Sequence, residues 1–288
     1  MRDLFIKKLV LSSPVEEENF TAVAIINKNG GLAYCKNDHP SWISMGDFSL
    51  SFCDLTFYND RFYAVDQDGS MVVCNVTGES PTVLVIRTTF WPERIYTPRM
   101  VYVVNSGDKQ LLVVRLLNFI VYRDHRVYLK TKSLDVYMMD WSRKQWERVG
   151  DLGDRLLFVG EHSSVSLSAG DYGGCLRIPR TISLKHLTSR HRIRNISPNN
   201  ISEEDFYGRC LKNCIFFTDD NCVRWDDSDW NTDSSFLCQC CCSKMPRDED
   251  GTFEWDRGIY TLRGGTTLAL PCSRTRDPHA LWVLPPST

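Results

Sequence analysis

The sequence predicts an all-β fold made of successive antiparallel hairpins that stack as propeller blades. Short apolar runs rich in Val, Ile, Phe and Tyr recur along the 288 residues, and these residue types favour strands. Clusters of Asn, Asp and Gly separate the runs and accept the positive φ angles of tight turns. Helical periodicity is scarce, and the one short helix expected spans residues 202–207, where a Ser precedes acidic residues.

Three hairpins are predicted from strand-turn-strand patterns. Their turns are centred on Asn29-Gly30, on Gln67-Asp68-Gly69 and on residues 142–144. Trp141 and Trp146 flank the third turn, and we expect them to pack across that hairpin. Asp66 and Asp68 also resemble the start of a calcium loop, but Thr77 stands where a bidentate Glu is needed, which favours a plain turn.

Similar units recur along the chain. Residues 59–69, 153–164 and 211–221 each place a polar turn before an apolar run and another polar turn after it. Units of this kind bury their apolar faces by stacking, as the blades of a propeller do. The spacing is irregular, so a β-sandwich with the same alternation is the alternative at this point.

Several motifs in succession resemble one protein family. They are FIKKLVLSS (5–13), SLDVYMMDWSRKQWERVGDLGDRLLFVG (133–160), VSLSAGDYGGC (165–175), LKNCIFFTDDN (211–221) and LWVLPPST (281–288). In this order they resemble the plant F-box-associated KIB-type β-propellers, also called domain of unknown function 295. The resemblance implies a kelch-like β-propeller of antiparallel blades in which residues 1–288 form a single domain. It extends over nearly the whole chain.

The resemblance also implies a function. Family members typically carry an N-terminal F-box, which docks on the Skp adaptor of an SCF ubiquitin ligase, and a propeller that selects the substrate. The expected role is therefore protein interaction, with a protein partner on a loop-bearing face. A stand-alone scaffold without ligase coupling is the alternative. An enzyme is not predicted, because no nucleophile elbow, phosphate-binding loop or dinucleotide fingerprint occurs in the sequence.

Two departures from the family pattern shape further expectations. The chain begins where a family member would already be inside its propeller, so the F-box and the opening strands are expected to be absent. We therefore expect no direct binding of the Skp adaptor, and an incompletely covered edge near residues 20–27 and 281–285 that promotes self-association. Residues 176–209 have the character of an insertion between two strands.

The insertion carries the candidate partner-binding residues. Six basic side chains lie there without an acid between the first and the last: Arg177, Arg180, Lys185, Arg190, Arg192 and Arg194. They suit a partner-binding, phosphate-binding or nuclear-import loop, and a solvated loop on the propeller rim is the alternative. Interleaved aromatic residues are missing from this stretch, so specific nucleic-acid binding is not expected.

Cysteines provide the strongest metal candidate. Cys238, Cys240, Cys241 and Cys242 lie close together, but an extended strand would turn Cys241 away from the other three, and no matching short-spaced pair is evident. We expect most of the twelve cysteines to be reduced, buried and without a metal. Neither a cofactor nor a metal is predicted.

Charge and hydropathy limit the other partners. The formal net charge is −2, so no global field draws the protein to nucleic acid or to a membrane surface. The most apolar run, residues 111–122, contains Arg115 and Asn118 and is shorter than a bilayer span. With no apolar signal-peptide region at the N-terminus, we expect a cytoplasmic or nuclear protein.

Overall fold

The computed structural model describes residues 6–13, 20–26, 30–76, 78, 81–88, 98–121, 127–161, 163–172, 212–217 and 258–269. These residues form seventeen β-strands and a single 3-10 turn at Ala169–Tyr172. Strands therefore dominate the described part of the chain, as the sequence predicts. Residues 202–207, where the short helix is expected, lie outside the described residues. None of the described helical residues belongs to a helix long and apolar enough to cross a membrane.

The first two sheets are four-stranded and follow the order of the chain. The first contains β1 (Ile6–Leu11), β2 (Thr21–Ile26), β3 (Gly31–Lys36) and β4 (His39–Ser44). The second contains β5 (Phe52–Tyr58), β6 (Arg61–Asp66), β7 (Met71–Asn75) and β8 (Thr82–Ile86). Every neighbouring pair in both sheets is antiparallel, as expected for strands joined by tight turns.

The third sheet is also four-stranded, with the order β12-β11-β10-β9. Its strands are β9 (Arg99–Ser106), β10 (Lys109–Val121), β11 (Val127–Asp140) and β12 (Gln145–Val149). Strands β11 and β12 pair antiparallel, with Asp140 opposite Gln145, so residues 141–144 form the predicted third turn. The predicted turn at residues 67–69 likewise joins β6 to β7. Strands β2 and β3 pair as predicted, although Asn29 lies outside the described residues.

The fourth sheet departs from the predicted antiparallel blade. It contains β13 (Arg155–Val159), β14 (Val165–Ser168), β15 (Cys214–Phe217), β16 (Gly258–Thr261) and β17 (Thr266–Ala269) in the order β14-β13-β15-β16-β17. Strands β13 and β15 are parallel, with Leu156 opposite Cys214. Strand β13 therefore has a neighbour on both sides, β14 and β15. Parallel neighbours need a long crossover, which local patterns do not reveal.

The described strands belong to two compact units, and the first contains β1–β9 together with β12. Its core lies between the first two sheets, where Ile25, Leu32, Phe52 and Phe62 are almost completely buried in one cluster. Alternating residues of β2 point the other way, where Ala24 and Ile26 pack with Trp42. The second unit contains β13 and β15–β17, where Phe158 and Phe216 stack at 4.5 Å between ring centroids.

The expected open edge at residues 20–27 is not observed. Strand β2 has paired neighbours on both sides, β1 and β3, and all its residues after Thr21 are buried. The prediction was wrong because Ile6–Leu11, with two lysines among its six residues, was not predicted as the neighbouring strand. The other expected edge, near residues 281–285, lies outside the described residues.

Four cysteines are described, and none of them forms a disulfide within the described residues: Cys35, Cys53, Cys74 and Cys214. Cys74 is fully buried in the first core, and burial raises the pKa of its thiol to about 12. Cys214 donates a 3.1 Å hydrogen bond to the carbonyl oxygen of Lys212. Cys74 and Cys214 are buried, as the sequence predicts, whereas Cys35 and Cys53 are only partly buried.

Candidate interaction surface

The turn between β11 and β12 is exposed to solvent and is held by its own hydrogen bonds. Oδ1 of Asp140 accepts hydrogen bonds from the backbone N–H of Ser142 at 2.8 Å, from the hydroxyl of Ser142 at 2.6 Å and from the N–H of Arg143 at 3.2 Å. These bonds hold the pKa of the Asp140 carboxyl below its ordinary value, the Ser142 hydroxyl making the largest contribution. The turn closes at Lys144, whose φ of 55° is left-handed. Such a capped four-residue turn has few alternative conformations.

Trp146 anchors the hairpin to the second sheet. Its ring is 8% exposed, and Nε1 donates a 2.8 Å hydrogen bond to the carbonyl oxygen of Gly69 in the β6–β7 turn. The same turn is held from its other side by Arg99, whose Nε donates to the carbonyl oxygen of Gln67 at 3.0 Å. The carboxylate of Asp66 closes the turn by accepting from the N–H groups of Asp68 and Ser70. The predicted plain turn is therefore what residues 66–70 form.

Trp141 stands at the exposed end of the same hairpin. Its side chain is 44% exposed and lies edge-on to Tyr63 of β6, with 6.0 Å between ring centroids. Packing of Trp141 and Trp146 across the hairpin is predicted, but Trp141 contacts Tyr63 and Trp146 bonds to Gly69, both of the second sheet. The cause is that the hairpin lies against that sheet, which places both rings near another sheet's side chains.

A basic side chain, Arg61, shares the sheet face of Tyr63, and Lys144 lies three residues after Trp141 in the turn. Tyr58 and Arg61 are opposite each other on β5 and β6, and alternation places them on the same sheet face as Tyr63. Burial raises the pKa of the Tyr63 hydroxyl, whereas the charge of Arg61 lowers it. We call the surface formed by Arg61, Tyr63, Trp141 and Lys144 the hairpin patch. It combines an exposed aromatic ring, a supporting ring and two cations.

A buried polar network lies beneath the first strands of three sheets. The ammonium of Lys8 in β1 pairs with Asp54 of β5, and these residues are only 6% and 2% exposed. Asp54 also accepts hydrogen bonds from the N–H of Leu55 at 2.8 Å and from the N–H of Val103 in β9 at 2.7 Å. Burial raises the pKa of Asp54 and the charge of Lys8 opposes that shift. The network therefore links β1, β5 and β9 and holds their relative register.

The buried carboxylates of the described chain have structural roles. Both Asp54 and Asp66 accept hydrogen bonds from backbone N–H groups. Asp54 does so in the buried network and Asp66 in the β6–β7 turn. Cys53 is partly buried beside Asp54, and desolvation raises the pKa of its thiol to about 12, far from that of a reactive thiolate. Within the residues that the structure describes, no three His, Cys, Asp or Glu side chains cluster as metal ligands would.

The sequence-predicted site residues have different outcomes. The basic residues Arg177 to Arg194 of the expected insertion lie outside the described residues, and so do Cys238 to Cys242. Sequence reasoning missed the contact between buried Tyr63 and exposed Trp141. The available signal was the position of Trp141 directly after a strand and before the polar turn Ser-Arg-Lys.

The consecutive hairpin sheets and their aromatic links define a β-propeller protein. The chain belongs to the KIB1-4 beta-propeller family, whose model matches residues 1–177. This confirms the predicted propeller class over the β-sandwich alternative. The family match ends at the beginning of the expected insertion, whereas the resemblance drawn from motifs extended to the C-terminus.

Curated relatives are F-box proteins of Arabidopsis thaliana. One with a provisional F-box name is 25% identical over 170 residues, which are 59% of this chain and 46% of that protein. F-box protein SKIP23 is 23% identical over 185 residues, covering 59% of this chain and 44% of the relative. An F-box/kelch-repeat protein is 24% identical over 155 residues, covering 53% and 38%. The matched region is thus less than half the length of each relative.

Proposed function

We propose that the chain is a protein-interaction propeller resembling the substrate-recognition part of F-box proteins, and that it acts by placing a bound protein rather than by catalysis. The observation that carries this proposal is the hairpin patch: Trp141 is exposed on a turn whose backbone is capped and whose base is hydrogen-bonded to a second sheet. Exposed, pre-organised Trp and Arg side chains are the residues that most often dominate protein interfaces. The relatives' F-box names support the same reading.

Coupling to a ubiquitin ligase is the finer part of the proposal. In that role the propeller holds the target while an F-box recruits the transfer machinery through the Skp adaptor. The residues of this chain contribute recognition, so they are not expected to bind the Skp adaptor directly. The alternative is a scaffold that binds a partner in the cytoplasm or nucleus without leading to ubiquitin transfer. The basic residues Arg177 to Arg194 remain a proposed second contact with the partner.

Affinity capture with matched variants tests the interaction role. The tagged chain is compared with Trp141→Ala and with Ile43→Ala, which truncates a side chain of similar exposure (46%) on β4. We expect Trp141→Ala to reduce recovery of specific partners by about tenfold or more, since truncated hot spots cost at least that much. Ile43→Ala should retain them. Equal recovery by all three proteins would contradict the proposed surface.

A reconstituted ligase tests the coupling. The chain is fused behind an F-box and supplied with the Skp adaptor, the remaining SCF subunits and a captured partner. Ubiquitin transfer to that partner, dependent on both the F-box and Trp141, is the expected result. Binding of the partner without transfer would favour the scaffold alternative. Recovery of the Skp adaptor by the unfused chain would contradict the expected division of roles.

A further inference from the structure

We infer that the hairpin patch binds an acidic segment of its protein partner, with an apolar side chain of that segment resting on Trp141. The inference rests on the proposed function and adds the chemistry of the ligand. It follows from how charges are distributed around the Tyr63–Trp141 pair. Each charged side chain near the pair is either engaged within the fold or available to a partner.

The engaged charges belong to the base of the hairpin. Asp140 is occupied by three hydrogen bonds from its own turn, two of them from backbone N–H groups. Arg143 donates to Glu147 at 3.0 Å and also lies 3.6 Å from Asp140. Arg148 is likewise paired with Asp135 on the neighbouring strand. These five side chains largely satisfy one another and leave little charge for a ligand.

The available charges are predominantly positive. Arg61 and Lys144 are both exposed, and neither forms an ion pair within the described part of the chain. Arg61 is two residues from Tyr63 on the same strand face, about 7 Å along the strand. Asp60, in the β5–β6 turn, is the nearest acid in sequence to this pair of cations. Burial raises the pKa of the Tyr63 hydroxyl, and the charge of Arg61 opposes that shift. Arg61 and Lys144 are therefore the two charges of the hairpin patch that a ligand can still pair with.

The aromatic rings define the apolar part of the ligand. Trp141 offers nearly half of its surface to solvent, whereas Tyr63 is 7% exposed and supports it from behind. An apolar or aromatic side chain seated on Trp141 would be flanked by carboxylates that reach Arg61 and Lys144. A cationic ligand would gain from the ring face but would meet the two free cations. A nucleic-acid strand would need a longer basic groove than two side chains provide.

Selection from a random peptide library tests this specificity on the full chain. Peptides displayed on phage are selected against the wild-type protein, against Trp141→Ala and against the double variant Arg61→Glu/Lys144→Glu. With the wild type we expect enrichment of Asp and Glu around one apolar residue. The charge-reversed variant should lose that enrichment. Selected peptides without an acidic bias, or an acidic bias that persists in the charge-reversed variant, would overturn the inference.

The most enriched acidic peptide then serves as a fluorescent probe in titrations. Trp141→Ala should weaken its binding about tenfold or more. Reversing both cations should weaken it by about tenfold in low salt, because each exposed ion pair contributes up to about fivefold. Ile43→Ala should leave binding unchanged, and raising the salt concentration should weaken it. Tighter, Trp141-dependent binding of a labelled uridine oligonucleotide would overturn the inference in favour of nucleic acid.

The two hypotheses fail in different ways. If affinity capture recovers partners through Trp141 but the peptides show no charge preference, protein interaction stands and the acidic ligand is wrong. If neither partners nor peptides depend on Trp141, both are wrong. These comparisons require that Trp141→Ala melts at the same temperature as the wild type. We expect this because Trp141 is exposed and Trp146 anchors the hairpin separately.

Discussion

Trp146 donates its indole N–H to the carbonyl oxygen of Gly69, 77 residues earlier in the chain. The bond connects the β11–β12 hairpin to the turn of another sheet, so its loss should lower the free energy of unfolding. We expect Trp146→Phe to lower the free energy of unfolding by about 1–2 kcal/mol, because it keeps most of the buried ring but leaves that carbonyl oxygen without its donor. Urea unfolding measures the change.

Trp141→Phe is the matched control for that variant. Trp141 is exposed, and its indole N–H makes no hydrogen bond within the described residues. The same ring change there should alter the free energy of unfolding by no more than about 0.5 kcal/mol. Equal losses for the two variants would show that the hydrogen bond to Gly69 does not stabilise the hairpin.

The Lys8–Asp54 pair should show strong coupling. Lys8→Met leaves a buried carboxylate without its cation, and we expect a loss of about 3–5 kcal/mol. The double variant Lys8→Met/Asp54→Asn should be more stable than Lys8→Met, because a neutral amide oxygen still accepts from the N–H of Val103. A double-mutant cycle in urea measures the coupling, and additive losses would contradict it.

Gly30 and Gly153 form a natural comparison. Both have left-handed φ angles, 65° and 66°, but a Cβ on Gly30 would lie 2.6 Å from the carbonyl oxygen of Phe52, whereas nothing is within 4 Å at Gly153. Alanine at Gly153 should cost about 1–2 kcal/mol from backbone conformation. Alanine at Gly30 should cost about 1–3 kcal/mol more, because backbone atoms must move. Similar losses of unfolding free energy would show that the close approach is unimportant.

Acid should disorder the turn that carries Trp141. The pKa of Asp140 is lowered in the fold, so its stabilising contribution is complete above the ordinary value of 3.8 and disappears as the pH falls through the lowered pKa. The N–H resonance of Ser142, which donates to this carboxylate, should therefore shift with a midpoint below 3.8. In Asp140→Asn that titration should be absent. A midpoint above 3.8 would mean that the carboxylate does not cap the turn.

Local turn chemistry explains which parts of the fold the sequence could predict. The turns at residues 67–69 and 142–144 are specified by polar residues that cap their own backbone, as Asp66 and Asp140 do. Their strands follow from alternation, and their antiparallel pairing follows from the short connections. These features depend on residues a few positions apart, so one sequence is sufficient to identify them.

Long-range packing explains what was missed. Strand β1 contains Lys7 and Lys8, and the burial of Lys8 makes sense only once Asp54 is placed beside it. Trp141 and Tyr63 are far apart in sequence and meet because two sheets pack together. The hairpin patch, which joins residues of β6 and the β11–β12 turn, therefore has no continuous sequence motif.

The parallel pairing of β13 with β15 has a consequence for the order of folding. The first two sheets use neighbours in sequence and can assemble while the chain is still being synthesised. The parallel neighbour of β13, strand β15, is synthesised roughly fifty residues later. Closing so long a loop has an entropic cost. Non-local pairing of this kind slows folding. We therefore expect the fourth sheet to be the last to form on the ribosome, and its apolar strands to be the ones that chaperones encounter.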